Sequence, residues 1–238
     1  MRWDQYFCEL DGSMASIVLD MDLRDQVPVP GKPFVLRVRV TMQSPREDGL
    51  SSDEEASMLV EIESALKIGL GENAIFAGRY TLMGFRSFLF YVGNPALVEQ
   101  VEPIICRNFE GYKHTAYLLG EPGWETYLGF LYPDEWELQS MANRNGCDAL
   151  EERGEALDIE HEIHHQINFK DESGKVEFVK TALLMGFCEQ NGESVQIYRT
   201  DVLSRGTIDA LTQPLFKLAA EYGGVYAGWT SEPNVTPT

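Results

Sequence analysis

His161-Glu162-Ile163-His164-His165 is the run in this chain whose residue types and spacing match a catalytic signature, H-E-x-x-H. In zinc hydrolases that pattern works on a helix. There positions i and i+4 share a face and can hold one metal ion, with the glutamate as base. The flanking residues predict something else. Leu157, Ile159, His161, Ile163, His165, Ile167 and Phe169 recur every second position, with Asp158, Glu160, Glu162, His164, Gln166 and Asn168 between them. Such alternation marks a strand with one buried face. On a strand the first and last imidazoles would sit ~13 Å apart at about 3.3 Å per residue, too far to share an ion. The motif is therefore read as a coincidence, and no catalytic residue, metal ligand or cofactor is assigned. His161 and His165 are expected to border the helix-covered face, each with a local hydrogen bond.

The other side of the same strand offers different chemistry. Asp158, Glu160, Glu162 and His164 fall on alternate positions and would form an acidic stripe about 20 Å long. It is either a landing strip for a basic segment or the solvated outer face of a sheet covered on one side. Tyr226 and Trp229, just after Gly223-Gly224, are either an aromatic recognition tip or rings packed by an edge strand. A second candidate site lies earlier in the chain. Arg79 and Arg86 could bind an anion or simply pair with surface acids, and with Trp124 and Tyr127 they would define a ligand pocket. The sequence holds no G-x-G-x-x-G, P-loop or G-x-S-x-G motif, so nucleotide binding and a serine nucleophile have no support.

The elements that must position these residues belong to an acidic chain, with 38 acids against 19 bases and a formal charge of −19. That balance argues against gripping nucleic acid or an anionic membrane, both of which need a basic surface. It suits a basic protein partner. Cys8, Cys106, Cys147 and Cys188 are too scattered for a zinc knuckle or disulfide framework, and they read as free thiols. The amino terminus lacks the apolar core of a signal peptide, and no apolar run approaches ~18 residues. A soluble cytoplasmic protein is expected, its oligomeric state open. The Asn234-Val235-Thr236 sequon is then accidental.

Along the chain, alternation predicts strands from Ile17 to Leu23, after an Asp11-Gly12 turn, and from Phe34 to Met42. Ser52 and Glu55 form a capping box for a helix bearing Leu59, Ile62 and Leu66. Strands at 74–82 and 85–92, a helix after Asn94-Pro95 with Pro103 as a blemish, and a strand from Tyr112 to Leu119 complete a ββαββαβ domain over 1–142. Residues 120–147 read as turn-rich, with Asn143-Arg144-Asn145-Gly146 as the boundary. Over 146–238 the order is βαββαβ, the ferredoxin-like split, with a helix facing Val176, Val179, Ala182 and Leu183 inward, an Asn191-Gly192 turn, and a helix capped by Thr207. The fold class is thus α+β, two sheet-and-helix domains.

Two resemblances cover nearly the whole chain. The closing Leu218-to-Trp229 segment, with Gly146-Cys147-Asp148-Ala149-Leu150 and the Asp158-to-Phe169 strand, resembles the RraB family of ribonuclease regulators. Ala227 stands where that family's Y-D-G-W carries an aspartate. Residues 1 to about 140 resemble the family of unknown function DUF695, through Gly78-Arg79-Tyr80-Thr81, Gly84-Phe85-Arg86, Trp124, Tyr127 and Leu131-Tyr132-Pro133. The RraB resemblance implies a non-catalytic protein that binds the arginine-rich scaffold of ribonuclease E and restrains RNA decay. The alternative is an enzyme or small-molecule binder built on the arginine/aromatic pocket of the first domain. A third class, a self-assembling unit, would show an apolar pairing edge.

Overall fold

The computed structural model describes residues 2–190 and 195–233, in two compact units, Met1–Asp134 and Glu135–Thr238. The Asn191-Gly192 turn and the Asn234-Val235-Thr236 sequon lie outside the described residues. All four cysteines are free thiols. Among the described residues no helix is long and apolar enough to cross a membrane.

The first unit runs β1 (Trp3–Leu10), β2 (Ser13–Asp20), β3 (Phe34–Thr41), α1 (Asp53–Leu70), β4 (Ala74–Leu82), β5 (Phe85–Val92), α2 (Val101–Asn108) and β6 (His114–Gly120). Its strands form one antiparallel sheet in the order β1-β2-β4-β5-β3-β6. The hairpin turns Asp11-Gly12 and Met83-Gly84 both place two successive residues at positive φ, the geometry that follows the twist of the flanking strands. Leu59, Ile62 and Leu66 of α1 and Val101 and Ile105 of α2 close on Val38, Val40, Phe88 and Phe90. Each large side chain so buried contributes about 1.5–3 kcal/mol.

Four local expectations change. Ser52 does cap α1, accepting from the Glu55 amide at 3.3 Å, but Glu55 does not reciprocate. Its buried carboxylate accepts from the amides of Gln43 and Ser44, 3.1 and 2.8 Å away, and ties the preceding loop to the helix. The strand expected to reach Leu23 ends at Asp20, whose carboxylate accepts from the Asp22 amide and starts a 3-10 turn. β1 was not predicted because it is an edge strand that buries only Tyr6, so its sequence shows no alternation. Pro103 falls in the first turn of α2, after a 3-10 turn at Pro95–Gln100, where a missing N–H costs little.

The second unit opens with α3 (Glu135–Glu152), followed by β7 (Ile159–Phe169), α4 (Glu172–Leu184), β8 (Cys188–Gln190), β9 (Val195–Leu203), α5 (Ile208–Glu221) and β10 (Gly224–Pro233). After α3 the order is the expected βαββαβ. The antiparallel sheet reads β10-β7-β9-β8, with β7 between the last strand and the third. Phe178 and Ala182 of α4 and Leu215 and Ala219 of α5 pack on Ile167, Val195 and Ile197. Val176 and Leu183, expected inward, are instead 53% and 47% exposed. Thr207 precedes α5 but makes no side-chain cap, its hydroxyl donating to the Val202 carbonyl.

Asn143-Arg144-Asn145-Gly146 lies inside α3. The reason is packing. Asn143 is fully buried, and its amide nitrogen donates to Asp209 and Thr212, 2.7 Å from each. Its oxygen accepts from the Trp229 indole at 2.9 Å and from Gln139 at 2.8 Å. Gly146 lets the helix approach that indole, since a Cβ there would lie 2.8 Å from the ring.

Candidate functional site

β7 carries the histidine run as an extended segment, hydrogen-bonded to β10 on one side and β9 on the other. His161 and His165 point to the helix-covered side, where both are buried. Each is held by its own partners. His161 bonds the Ala156 carbonyl through Nε2 and the Ser231 hydroxyl through Nδ1, both at 2.8 Å. His165 Nδ1 meets the Tyr226 hydroxyl at 2.7 Å, while Nε2 is buried with no partner. Burial, reinforced by Arg199 and His164, pushes the His165 pKa down to about 3. The ring is therefore a neutral core group, set edge-on to Phe187. Among the described residues no group of three or more His, Cys, Asp or Glu side chains is placed to hold a metal ion.

Among the described residues, the helices of this unit pack on that buried side and none covers the opposite side of β7. Glu160 is exposed, and Glu162 and His164 are half-buried. Asp158 precedes the strand with φ +63°, so it leaves the pleat that would have aligned it with the others. Glu162 is already engaged, its carboxylate 2.9 Å from His164 Nε2. His164 Nδ1 lies 3.2 Å from Gln190 Oε1, and the imidazole stacks on Tyr198. The expected acidic stripe is thus shorter than its sequence suggested. It leads into a shallow cup of about 350 Å3 lined by His164, Gln166, Gln190, Gln196 and Thr230, beside the β10 bulge between Tyr226 and Gly228.

Tyr226 and Trp229 do not form a tip. Tyr226 is a core residue, 6% exposed, its hydroxyl on His165 and its pKa raised by burial. Trp229 is half-buried and turns its indole to Asn143 of α3. His161 and His165 take the helix-covered face with local hydrogen bonds as expected; what the sequence reading missed is the part that Asn143, Tyr226 and Trp229 play in this polar core beneath the sheet. A buried Asn and two imidazoles on alternate positions opposite Tyr and Trp were its only signal.

The arginine/aromatic pocket also separates. Trp124 and Tyr127 are fully buried, with Trp124 stacked on Tyr91 at 3.6 Å between centroids. Tyr127 donates to the Asp20 carbonyl at 2.7 Å, and burial raises its pKa. Along β5, Tyr91 alternates with Phe88 and Phe90, which face α1 and α2, so the rings lie on the other side of the sheet. Arg79 and Arg86 share the helix side and line a cavity of about 170 Å3 without the aromatic pair.

These features define a two-unit α+β protein whose second sheet presents a helix-free polar face. The chain belongs to the family of unknown function DUF695, whose model matches residues 1–132. Residues 140–231 match the family described as regulator of ribonuclease activity B, RraB. Both resemblances read from the sequence are thereby shown, in the order expected. No curated protein matches the chain.

Proposed function

We propose that this protein is a non-catalytic regulator that binds a protein of the ribonuclease machinery through the helix-free face of its second sheet. The RraB match over 140–231 carries the reading. The chemistry of the face supports it: Glu160 and the Glu162–His164 pair border a cup of amide side chains, groups that recognise hydrogen-bonding and basic partners. The imidazoles that could have served catalysis are committed to structural bonds on the buried side. A basic partner such as ribonuclease E fits a chain of net charge −19, because long-range attraction speeds encounter and sets orientation. Direct nucleic-acid binding does not fit that charge. The four free thiols suit a reducing cytoplasm.

Pull-down of a ribonuclease E scaffold by the purified full chain, repeated at raised salt, tests the reading. A complex at micromolar concentration that weakens with salt is expected. No complex at any ionic strength would defeat it.

A further inference from the structure

The cavity of the first unit holds an unusual charge. Arg86 is only 7% exposed, yet both groups it bonds are neutral: Thr81 Oγ1, 2.8 Å from Nε, and Ser51 Oγ, 3.2 Å from Nη2. Among the described residues it enters no salt bridge: of the two carboxylates near enough to attract it, Glu55 is taken up by the Gln43 and Ser44 amides and Glu63 by Arg79 and Lys67. Buried charges are ordinarily paired, because desolvation is otherwise uncompensated. Burial first, and the neighbouring Arg79 second, lower the Arg86 pKa to about 10. Arg79 does not relieve the imbalance. Its partner is Glu63, which also takes Lys67 Nζ at 2.5 Å, so one carboxylate serves two cations before Arg86 is counted. In a chain with twice as many acids as bases, the lining of this pocket holds Arg46, Arg79 and Arg86 and no carboxylate.

The pocket is also built in advance. Arg79 on β4 and Arg86 on β5 project on one side of the hairpin, and Ser51 closes the rim from the loop before α1. That loop is pinned to the hairpin turn. The Gly84 amide donates to the Gly49 carbonyl at 2.8 Å, and Gly49 has φ +79°, with Met83 Cα only 2.9 Å from where a Cβ would stand. At about 170 Å3 the cavity is smaller than the ~300 Å3 at which drug-sized sites begin, and it suits an ion or the end group of a larger molecule.

We propose that Arg86, Arg79 and Ser51 form a binding site for a phosphate group, with the Arg86 guanidinium as its central donor. Planar guanidinium forks with adjacent hydroxyls match a tetrahedral oxyanion, and a dianion supplies the counter-charge the pocket lacks.

Titration calorimetry of the full chain with inorganic phosphate at fixed ionic strength is the test. Saturable binding tighter than about 1 mM is expected, competed by sulfate and at least roughly tenfold weaker for acetate. Arg86→Gln is expected to weaken it by about tenfold to a hundredfold, the worth of a lost charge-assisted hydrogen bond. Should that variant not fold, Ser51→Ala at the solvent rim and the Arg86 Nε–H resonance of the wild-type chain give the same answer. The resonance moves with phosphate if the proposal holds. No saturable heat up to about 10 mM, acetate binding as tightly as phosphate, or an unmoved Arg86 resonance would overturn it.

Discussion

His165 makes the second unit acid-sensitive in a way that can be isolated. The imidazole is 1% exposed, set against the Phe187 and Tyr226 rings, and burial first, then the charges of Arg199 and His164, hold its pKa in the folded chain at about 3 against an ordinary 6.5. The sign follows from linkage. Because the folded pKa lies below the unfolded one, stability is complete above pH ~6.5 and is lost as pH falls from there toward ~3. Between pH 7 and pH 5 the unfolded chain takes up a proton that the folded chain refuses, a loss of about 2 kcal/mol at ~1.4 kcal/mol per pH unit. In His165→Gln the amide can still pair with the Tyr226 hydroxyl but cannot titrate. Urea unfolding of the full chain, followed through the methyl resonances of Ile163 and Ile167, reads the second unit directly. Whatever the variant's stability at pH 7, its gap to the wild type should shift in its own favour by about 2 kcal/mol at pH 5. A gap constant to within about 0.5 kcal/mol would show that His165 accepts a proton in the folded protein, and would refute the reasoning.

Two further substitutions test the packing. Asn143→Ala leaves the Trp229 indole, Asp209 and Thr212 without their shared partner, and should destabilise the second unit by about 3 kcal/mol in urea unfolding. Trp124→Ala empties the slot against Tyr91 and removes the indole donor to the Lys32 carbonyl. It should cost about 3–5 kcal/mol, read as a lowered midpoint for the first unit.

The most legible part of the fold was the part with the strictest rhythm. Two-residue alternation through His161–His165 predicted β7 and its two faces, because a half-buried strand has no other way to sort apolar from polar side chains. The Ser52 cap and the Asp11-Gly12 turn were legible for the same kind of reason, since each needs a particular residue at one position. Where burial is polar or partial, the pattern fails. β1 hides only Tyr6, and α3 turns Asn143 and Cys147 inward alongside Met141 and Leu150, so neither shows an apolar stripe. In α4 the buried residues are Phe178 and Ala182 with Val179 packed beside them, so the inward face takes only part of the aliphatic row and leaves Val176 and Leu183 exposed. The candidate sites were half legible. Arg79 and Arg86 do line one cavity, because the register sets them opposite Phe88 and Thr81 on the same side of the sheet, whereas Trp124 and Tyr127 serve the opposite side. Sequence distance carried no sign of which face a loop would cover.

The claim that the helix-free face of β7 is a docking surface is tested most directly by measuring the affinity of the full chain for a ribonuclease E scaffold fragment, with and without Glu160→Lys and Glu162→Lys. Each exposed pair contributes up to about 1 kcal/mol, so the double reversal should weaken binding by tenfold or more at low salt, with the difference shrinking as salt rises. Equal affinity for the wild type and the reversed chain at low salt would place the contact elsewhere and contradict the account.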